Sequence, residues 1–145
     1  MKKLKELIDE KKSVFGIFAK TNDPMFIEIM GKAGIDFVIL DCEHGPNSPR
    51  EVLPLVMAAR ASGLQAVVRV GSSSVIEIQR MLDLGISGVQ VPQVQTEADA
   101  RSVVKSAKFA PLGMRGVCCN VRAADYSLKK RQEYFAGQNK EVAVI

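Results

Sequence analysis

Short apolar segments recur along this chain at intervals of about 22 to 28 residues, and amphipathic segments separate them. The apolar segments are rich in Val, Ile, Leu and Phe, and they do not alternate with polar residues. That pattern is typical of strands that are covered on both faces, as in a parallel sheet. We therefore expect five strands, at residues 14–19, 36–41, 65–70, 88–92 and 141–145.

Helix start and stop signals lie between the expected strands. Capping residues followed by a first-turn proline or an acidic residue stand at Asp23-Pro24, Ser48 with Glu51, Ser74 with Glu77, and Thr96 with Asp99. The first three of these helices are followed by glycines at 34, 63 and 85, where helices commonly end. In the long connection before the last strand we predict two helices, near residues 96–108 and 123–135.

A regular βα repeat with short loops predicts an α/β fold of the (β/α)₈ TIM-barrel type. A doubly wound open sheet is the alternative, but it usually carries a glycine-rich phosphate loop after its first strand, and here that segment reads AKTNDP. A complete barrel needs about 250 residues. We therefore expect residues 1–145 to form a single partial barrel domain of four βα units and a fifth strand. It would be either a truncated piece of a longer protein or a half-barrel that pairs with another copy.

Composition excludes several classes of protein. No apolar run approaches the roughly 20 residues of a membrane span, and the first 12 residues lack the apolar middle of a signal peptide. The net charge of +4 comes without zinc-finger spacing or interleaved aromatic residues, which argues against a nucleic-acid partner. The three cysteines, an odd number, are typical of reduced thiols in a cytoplasmic protein.

Polar residues stand where the expected strands end. Asp41, Glu43 and His44 follow the second strand, His44 being the one histidine of the chain, and Arg69 ends the third strand. The carboxyl ends of parallel strands form the site of such folds. An arginine there can grip a carboxylate with two hydrogen bonds, and a histidine beside carboxylates can accept a proton. The alternative is structural, with acids at a helix entry and Arg69 paired with Asp41 or Asp83.

Three other segments are weaker candidates. Cys118 and Cys119 are adjacent but have no second histidine to act as a base, which favours a role in packing. The serines 72–74 could hold a phosphate at a helix N-terminus, although helix capping explains them equally. The segment 110–116 is typical of a tight turn, either beside a ligand or without one.

A set of ordered motifs resembles the HpcH/HpaI aldolases, which are metal-dependent class II pyruvate aldolases. The motifs lie at residues 16–18 (GIF), 36–47 (DFVILDCEHGPN), 67–70 (VVRV), 82–88 (LDLGISG), 91–94 (VPQV) and 111–116 (PLGMRG). The order and spacing of the whole set, more than any one motif, carry the resemblance, which extends along nearly the whole chain. It implies a carbon–carbon lyase that cleaves or forms 2-keto-acid aldols through a pyruvate enolate.

The resemblance also implies roles for individual residues. His44 matches the general base, Asp83 the acid that raises its basicity, and Arg69 the residue that stabilises the enolate. Asp41 and Glu43 match the carboxylates that flank the base. Phe18 stands where many members of the family have tryptophan.

The resemblance further implies a cofactor and partners. The cofactor is a divalent metal, Mg²⁺, Mn²⁺ or Co²⁺, whose matching Glu and Asp ligands would lie beyond Ile145, so we expect no metal ligands in this chain and no activity from it alone. The implied partners are a 2-keto acid or aldehyde substrate and further copies of the protein. Two alternatives stay open, namely a citrate-lyase-like enzyme acting on a CoA thioester and a non-catalytic half-barrel that acts as an interaction module.

Overall fold

The computed structural model describes residues 3–10 and 13–145, in which strands and helices alternate. The strands are β1 (Gly16–Ala19), β2 (Phe37–Asp41), β3 (Gln65–Arg69), β4 (Gly88–Gln90) and β5 (Ala143–Val144). The α-helices are α1 (Leu4–Glu10), α2 (Pro24–Lys32), α3 (Pro49–Ala61), α4 (Val75–Asp83), α5 (Glu97–Ala107) and α6 (Arg131–Glu141). None of the helices within these described ranges is long and apolar enough to cross a membrane.

The five strands form one parallel sheet in the order β1-β2-β3-β4-β5. Each strand therefore lies beside the strand that follows it in the chain. A doubly wound sheet instead reverses direction, so that later strands add on the other side of the first. The order confirms the predicted α/β fold, with the sheet progressing in one direction as in a barrel.

The two faces of the sheet pack against different partners, because successive strand side chains point to opposite faces. Val38, Leu40 and Val68 face α2–α5 and belong to a large buried cluster with Leu55 of α3 and Ile78 of α4. The other face of the sheet forms a smaller buried cluster with the first helix, whose members are Leu4, Ile39, Val67 and Ala143. By the same alternation, the last residues of β2 and β3 belong to this second face.

Most of the predicted helix signals are confirmed. The Asp23 carboxylate accepts a hydrogen bond from the N–H of Met25 at 2.9 Å, and the capping boxes at Ser48 and Thr96 both form. Gly34, Gly63 and Gly85 all take a positive φ, between 79° and 86°, directly after their helices. A left-handed residue of this kind ends a helix at little cost only when it is glycine.

The helix predicted at 123–135 is wrong. A short 3-10 helix at Arg122–Ala124 ends at Asp125, and the φ angles of Asp125, Tyr126 and Ser127 are 53°, 52° and 72°. Three left-handed residues in succession cannot continue a right-handed helix, so α6 begins later, at Arg131. The last strand is correspondingly shorter than predicted, because Glu141 still belongs to α6.

Candidate active site

The side chains expected at the strand ends do meet at the carboxyl end of the sheet. Asp41 is the last residue of β2 and Arg69 the last residue of β3, and the two are direct partners in the parallel register. Phe18 of β1 is the register partner of Ile39, which places it on the same face. These three side chains therefore lie side by side on the face of the sheet that carries Ile39 and Val67.

Arg69 and Asp41 form a two-pronged ion pair. Nε of Arg69 donates to Oδ1 of Asp41 at 3.0 Å, and Nη2 donates to Oδ2 at 2.7 Å. The Asp41 side chain is fully buried, whereas that of Arg69 is 20% exposed. The hydrogen bond from Arg69 outweighs the effect of burial and lowers the pKa of Asp41 from 3.8 to about 2. The same bond raises the pKa of Arg69, so both groups are charged at neutral pH.

Asp41 also organises the loop that follows β2. Its Oδ1 accepts hydrogen bonds from the backbone N–H groups of Glu43 at 3.0 Å and His44 at 3.1 Å. The loop then passes so close to the strand end that a Cβ at Gly45 would collide with the carbonyl oxygen of Asp41. One buried carboxylate thus fixes both the arginine and the loop that carries the histidine.

Glu43 lies between the arginine and the histidine. Its Oε2 is 3.4 Å from Nη1 of Arg69, and its Oε1 is 3.6 Å from Nε2 of His44. The His44 side chain is 64% exposed, whereas that of Glu43 is 14% exposed. The imidazole can therefore exchange protons with a ligand or solvent while a carboxylate lies beside it.

Phe18 supports the guanidinium from a third direction, with Cζ of Arg69 4.9 Å from the centre of its ring. A cation over an aromatic face is attracted to the ring. Guanidinium has five N–H donors, and two of them bond to Asp41. Donors on Nη1 and Nη2 remain that can bind a ligand carboxylate.

Asp83 is not brought to this site. It is the last residue of α4, and α4 runs from the carboxyl end of β3 to the amino end of β4, so Asp83 lies at the opposite end of the sheet from His44. Its Oδ1 accepts a hydrogen bond at 2.7 Å from Nη2 of Arg115, whose side chain is fully buried. Within one chain, the carboxylate beside His44 is Glu43, and Asp83 pairs with Arg115 and not with His44.

The structure also describes two of the weaker candidates, the serines at 72–74 and the cysteines at 118 and 119. Glu77 accepts hydrogen bonds from the N–H of Gly71 at 2.8 Å and from Oγ of Ser72 at 2.9 Å. Because a carboxylate already occupies these donors, a phosphate at the 72–74 segment would meet negative charge. Cys118 is exposed, so the packing role predicted for it is wrong, whereas Cys119 is partly buried.

Two residues to which the sequence analysis gave no role carry buried polar atoms near the strand ends. Gln90, the last residue of β4, is the register partner of Arg69, and no donor among the described residues reaches its buried Oε1. Oδ1 of Asn47, in the loop after β2, is likewise buried and unpartnered. Their side chains look unremarkable in sequence, and only the register and the loop path bring them to this end of the sheet.

The carboxylates of this site do not provide the donor set of a divalent metal. Both oxygens of Asp41 are bound by Arg69, and the two oxygens of Glu43 face Arg69 and His44. Nowhere in residues 3–10 and 13–145 do three or more His, Cys, Asp or Glu side chains cluster as metal ligands would.

Comparison with known proteins connects this geometry to a family. The family model described as HpcH/HpaI aldolase/citrate lyase matches residues 14–145. A 5-keto-4-deoxy-D-glucarate aldolase from Escherichia coli is 33% identical over 143 residues, which are 99% of this chain and 55% of that protein. The chain thus spans about half the length of this relative.

Solved structures agree with the sequence match. An HpcH/HpaI aldolase from Desulfitobacterium hafniense DCB-2 superposes with a TM-score of 0.91 at 32% identity, over 99% of this chain and 56% of that one. An HpcH/HpaI aldolase/citrate lyase family protein from Burkholderia cenocepacia J2315 gives a TM-score of 0.89 at 30% identity, over 97% of this chain and 57% of that one.

Proposed function

Since the chain belongs to the HpcH/HpaI aldolase/citrate lyase family, we propose that it carries the keto-acid-binding part of a carbon–carbon lyase. The reaction is cleavage or formation of a 2-keto-acid aldol through the enolate of pyruvate. The observation that carries this proposal is the fixed guanidinium of Arg69, which is held by Asp41 and Phe18 and keeps free donors at the carboxyl end of the sheet.

Arg69 binds the carboxylate of the keto acid and stabilises the developing enolate. Its orientation is set before any ligand arrives, because two hydrogen bonds to Asp41 and the Phe18 ring already hold the side chain. Donors that are fixed in place cost no reorganisation when negative charge develops on the substrate. Asp41 is thus a positioning residue and Arg69 the group that touches substrate.

His44 handles the proton of the reaction. In cleavage it accepts the proton of the substrate hydroxyl as the carbon–carbon bond breaks and the aldehyde forms. The electron pair of that bond moves toward the keto group and gives the enolate, which then takes up a proton at carbon to yield pyruvate. Oε1 of Glu43 lies 3.6 Å from Nε2 of His44, beside the imidazole that carries this proton.

The divalent metal that the family resemblance implies needs ligands other than the described residues. The carboxylates of Asp41 and Glu43 already face Arg69 and His44, so they are not available as metal ligands. We propose that the chain binds keto acids through Arg69 but does not by itself turn them over. The alternative of a non-catalytic half-barrel differs in predicting no keto-acid binding at all.

Self-association is a further part of the proposal. Three apolar side chains of the second and third helices are mostly exposed, namely Met25 (69%), Ile29 (60%) and Met57 (52%). Apolar surface of this kind favours contact with another protein surface. We propose a homo-oligomer in the cytoplasm, which also agrees with three free cysteines.

The experiment that tests the proposal is a titration with pyruvate, followed by saturation-transfer NMR, on the wild type and on Arg69→Lys. Lysine keeps the charge but lacks the planar fork that binds a carboxylate with two hydrogen bonds. We expect wild type to bind pyruvate and Arg69→Lys to bind at least about tenfold more weakly, a difference of about 1.4 kcal/mol.

Arg80→Lys is the matched control, because Arg80 is an exposed arginine of α4 outside the site, and its affinity for pyruvate should equal that of wild type. A thermal melt of each variant verifies folding. Equal affinity in wild type and Arg69→Lys would refute the role of Arg69, and no saturable binding by wild type would favour the non-catalytic alternative.

A further inference from the structure

A cavity lies at the amino end of the sheet, opposite the candidate active site. It has a volume of about 200 Å³ and is bounded by the starts of β3 and β4, α3 and the segment after the 3-10 helix. Four basic side chains line it, those of Lys3, Arg60, Arg122 and Lys129, together with one acidic side chain, Asp125. No step of the proposed reaction uses this cavity.

In the part of the chain that the structure describes, three of the four cations have no carboxylate partner. Lys3 pairs with Glu141 at 3.3 Å, but within residues 3–10 and 13–145 no carboxylate lies within 4.0 Å of the charged nitrogens of Arg60, Arg122 or Lys129. Burial and the neighbouring charge of Arg60 lower the pKa of Arg122. The cavity thus concentrates positive charge that the described residues leave mostly unbalanced.

Backbone carbonyls hold two of these cations, Arg122 and Lys129, in place. Nη1 of Arg122 donates to the carbonyl of Leu84 at 3.3 Å, and Nζ of Lys129 donates to the carbonyl of Ala123 at 3.5 Å. The left-handed residues 125–127 join the two basic residues and turn the chain around the cavity rim. Strained backbone of this kind persists only where the surrounding structure fixes it. The guanidinium of Arg122 is thus fixed in direction, and its other donors meet no acceptor among the described residues.

We propose that this cavity binds a phosphate-sized dianion through Arg60, Arg122 and Lys129. Guanidinium groups match the geometry of phosphate oxygens with paired hydrogen bonds, and a lysine adds a point charge. Sites for drug-sized ligands measure about 300–1,000 Å³. The cavity volume of about 200 Å³ is smaller than that range, so we expect the ligand to be inorganic phosphate or a small phosphomonoester. The proposal does not depend on the lyase function, because it uses none of the same residues.

The test is thermal unfolding of wild type in increasing sodium phosphate, with sodium chloride at the same ionic strength as the reference. A ligand that binds the folded state raises the melting temperature in a saturable way. Arg60→Gln removes one cation that forms no hydrogen bond or ion pair in the described part of the chain, so folding should be preserved. We expect this variant to raise the Kd for phosphate about fivefold or more.

Two further measurements locate the site and identify the ligand. Arg80→Gln, which removes an exposed arginine outside the cavity, should leave the Kd unchanged, whereas Lys129→Gln should raise it as Arg60→Gln does. Phosphate should also protect Arg60 from modification by phenylglyoxal, as read by mass spectrometry. Repeating the titration with sulfate and with glycerol 1-phosphate distinguishes a free ion from a phosphomonoester.

The relative affinities for the two ligands identify what the cavity binds. Tighter binding of glycerol 1-phosphate than of phosphate identifies a phosphomonoester site, and the reverse identifies a site for the free ion. A response to phosphate no larger than the response to chloride overturns the proposal. An equal Kd in wild type, Arg60→Gln and Lys129→Gln overturns it as well, because binding would then lie elsewhere on the chain.

Discussion

Replacing Asp41 with asparagine isolates the contribution of one buried charge to both the fold and the site. The pKa of Asp41 falls from 3.8 to about 2 in the folded protein, chiefly through the hydrogen bond from Arg69. Because one pKa unit corresponds to about 1.4 kcal/mol, ionised Asp41 stabilises the folded state by about 2 kcal/mol at neutral pH. Asparagine also presents an N–H₂ group to a charged donor, so we expect Asp41→Asn to lower the free energy of unfolding by about 2 to 3 kcal/mol.

The dependence on pH distinguishes this mechanism from a general loss of packing. The folded-state pKa is depressed, so the stabilisation is complete above about pH 4 to 5, where Asp41 is ionised in both states. It declines as the pH falls toward 2, because the unfolded state takes up a proton first. About half of the contribution should be lost at pH 3. Arg69 has a raised pKa and stays charged throughout this range.

Urea denaturation at pH 7, 5, 4 and 3 measures the effect, with wild type, Asp41→Asn and the exposed control Asp9→Asn compared at each pH. The difference between wild type and Asp41→Asn should shrink by about 1 kcal/mol between pH 7 and pH 3. The control should remain within about 0.5 kcal/mol of wild type at pH 7. A difference that is constant with pH, or one no larger than that of the control, would refute the reasoning.

Two further predictions concern the metal and the loop after β2. Calorimetric titration with Mn²⁺ should give no stoichiometric binding, and pyruvate release should stay at background. The reason is that Arg69 and His44 occupy the carboxylates of Asp41 and Glu43. Tight binding of Mn²⁺ would identify those carboxylates as metal ligands. Gly45→Ala should reduce stability in urea by about 2 kcal/mol through the collision with the Asp41 carbonyl. Its control, Gly137→Ala within α6, meets only ordinary contacts and should raise stability by about 0.5–1 kcal/mol; equal effects of the two alanines would contradict the close approach at Gly45.

The fold was predictable where the sequence signals were local. Asp23 and Ser48 cap helices through bonds to residues two or three positions away, so their effect depends little on the rest of the chain. The meeting of Asp41 with Arg69 was also predictable, although the two residues lie 28 positions apart. Both end strands, and parallel strands of similar length place their carboxyl ends together.

Three other features of the molecule depend on tertiary structure and could not be predicted from local sequence. Asp83 lies two residues before a glycine in a motif that resembles the family's, but the direction of α4 and the buried guanidinium of Arg115, 32 residues away, decide its partner. The left-handed turn of residues 125–127 contains no glycine, so no local preference announces it. Gln90 is placed beside the candidate active site only by its register with Arg69.

The strand order has a consequence for how the protein forms during synthesis. Every strand pairs with the strand made just before it, so the sheet can grow one βα unit at a time as the chain leaves the ribosome. Phe18, Asp41 and Arg69 all come from the first three strands. Synthesis proceeds at about 5–20 residues per second. The contacts of Arg69 with Asp41 and Phe18 use no residue of β4 or β5, so they can form before the chain reaches β5.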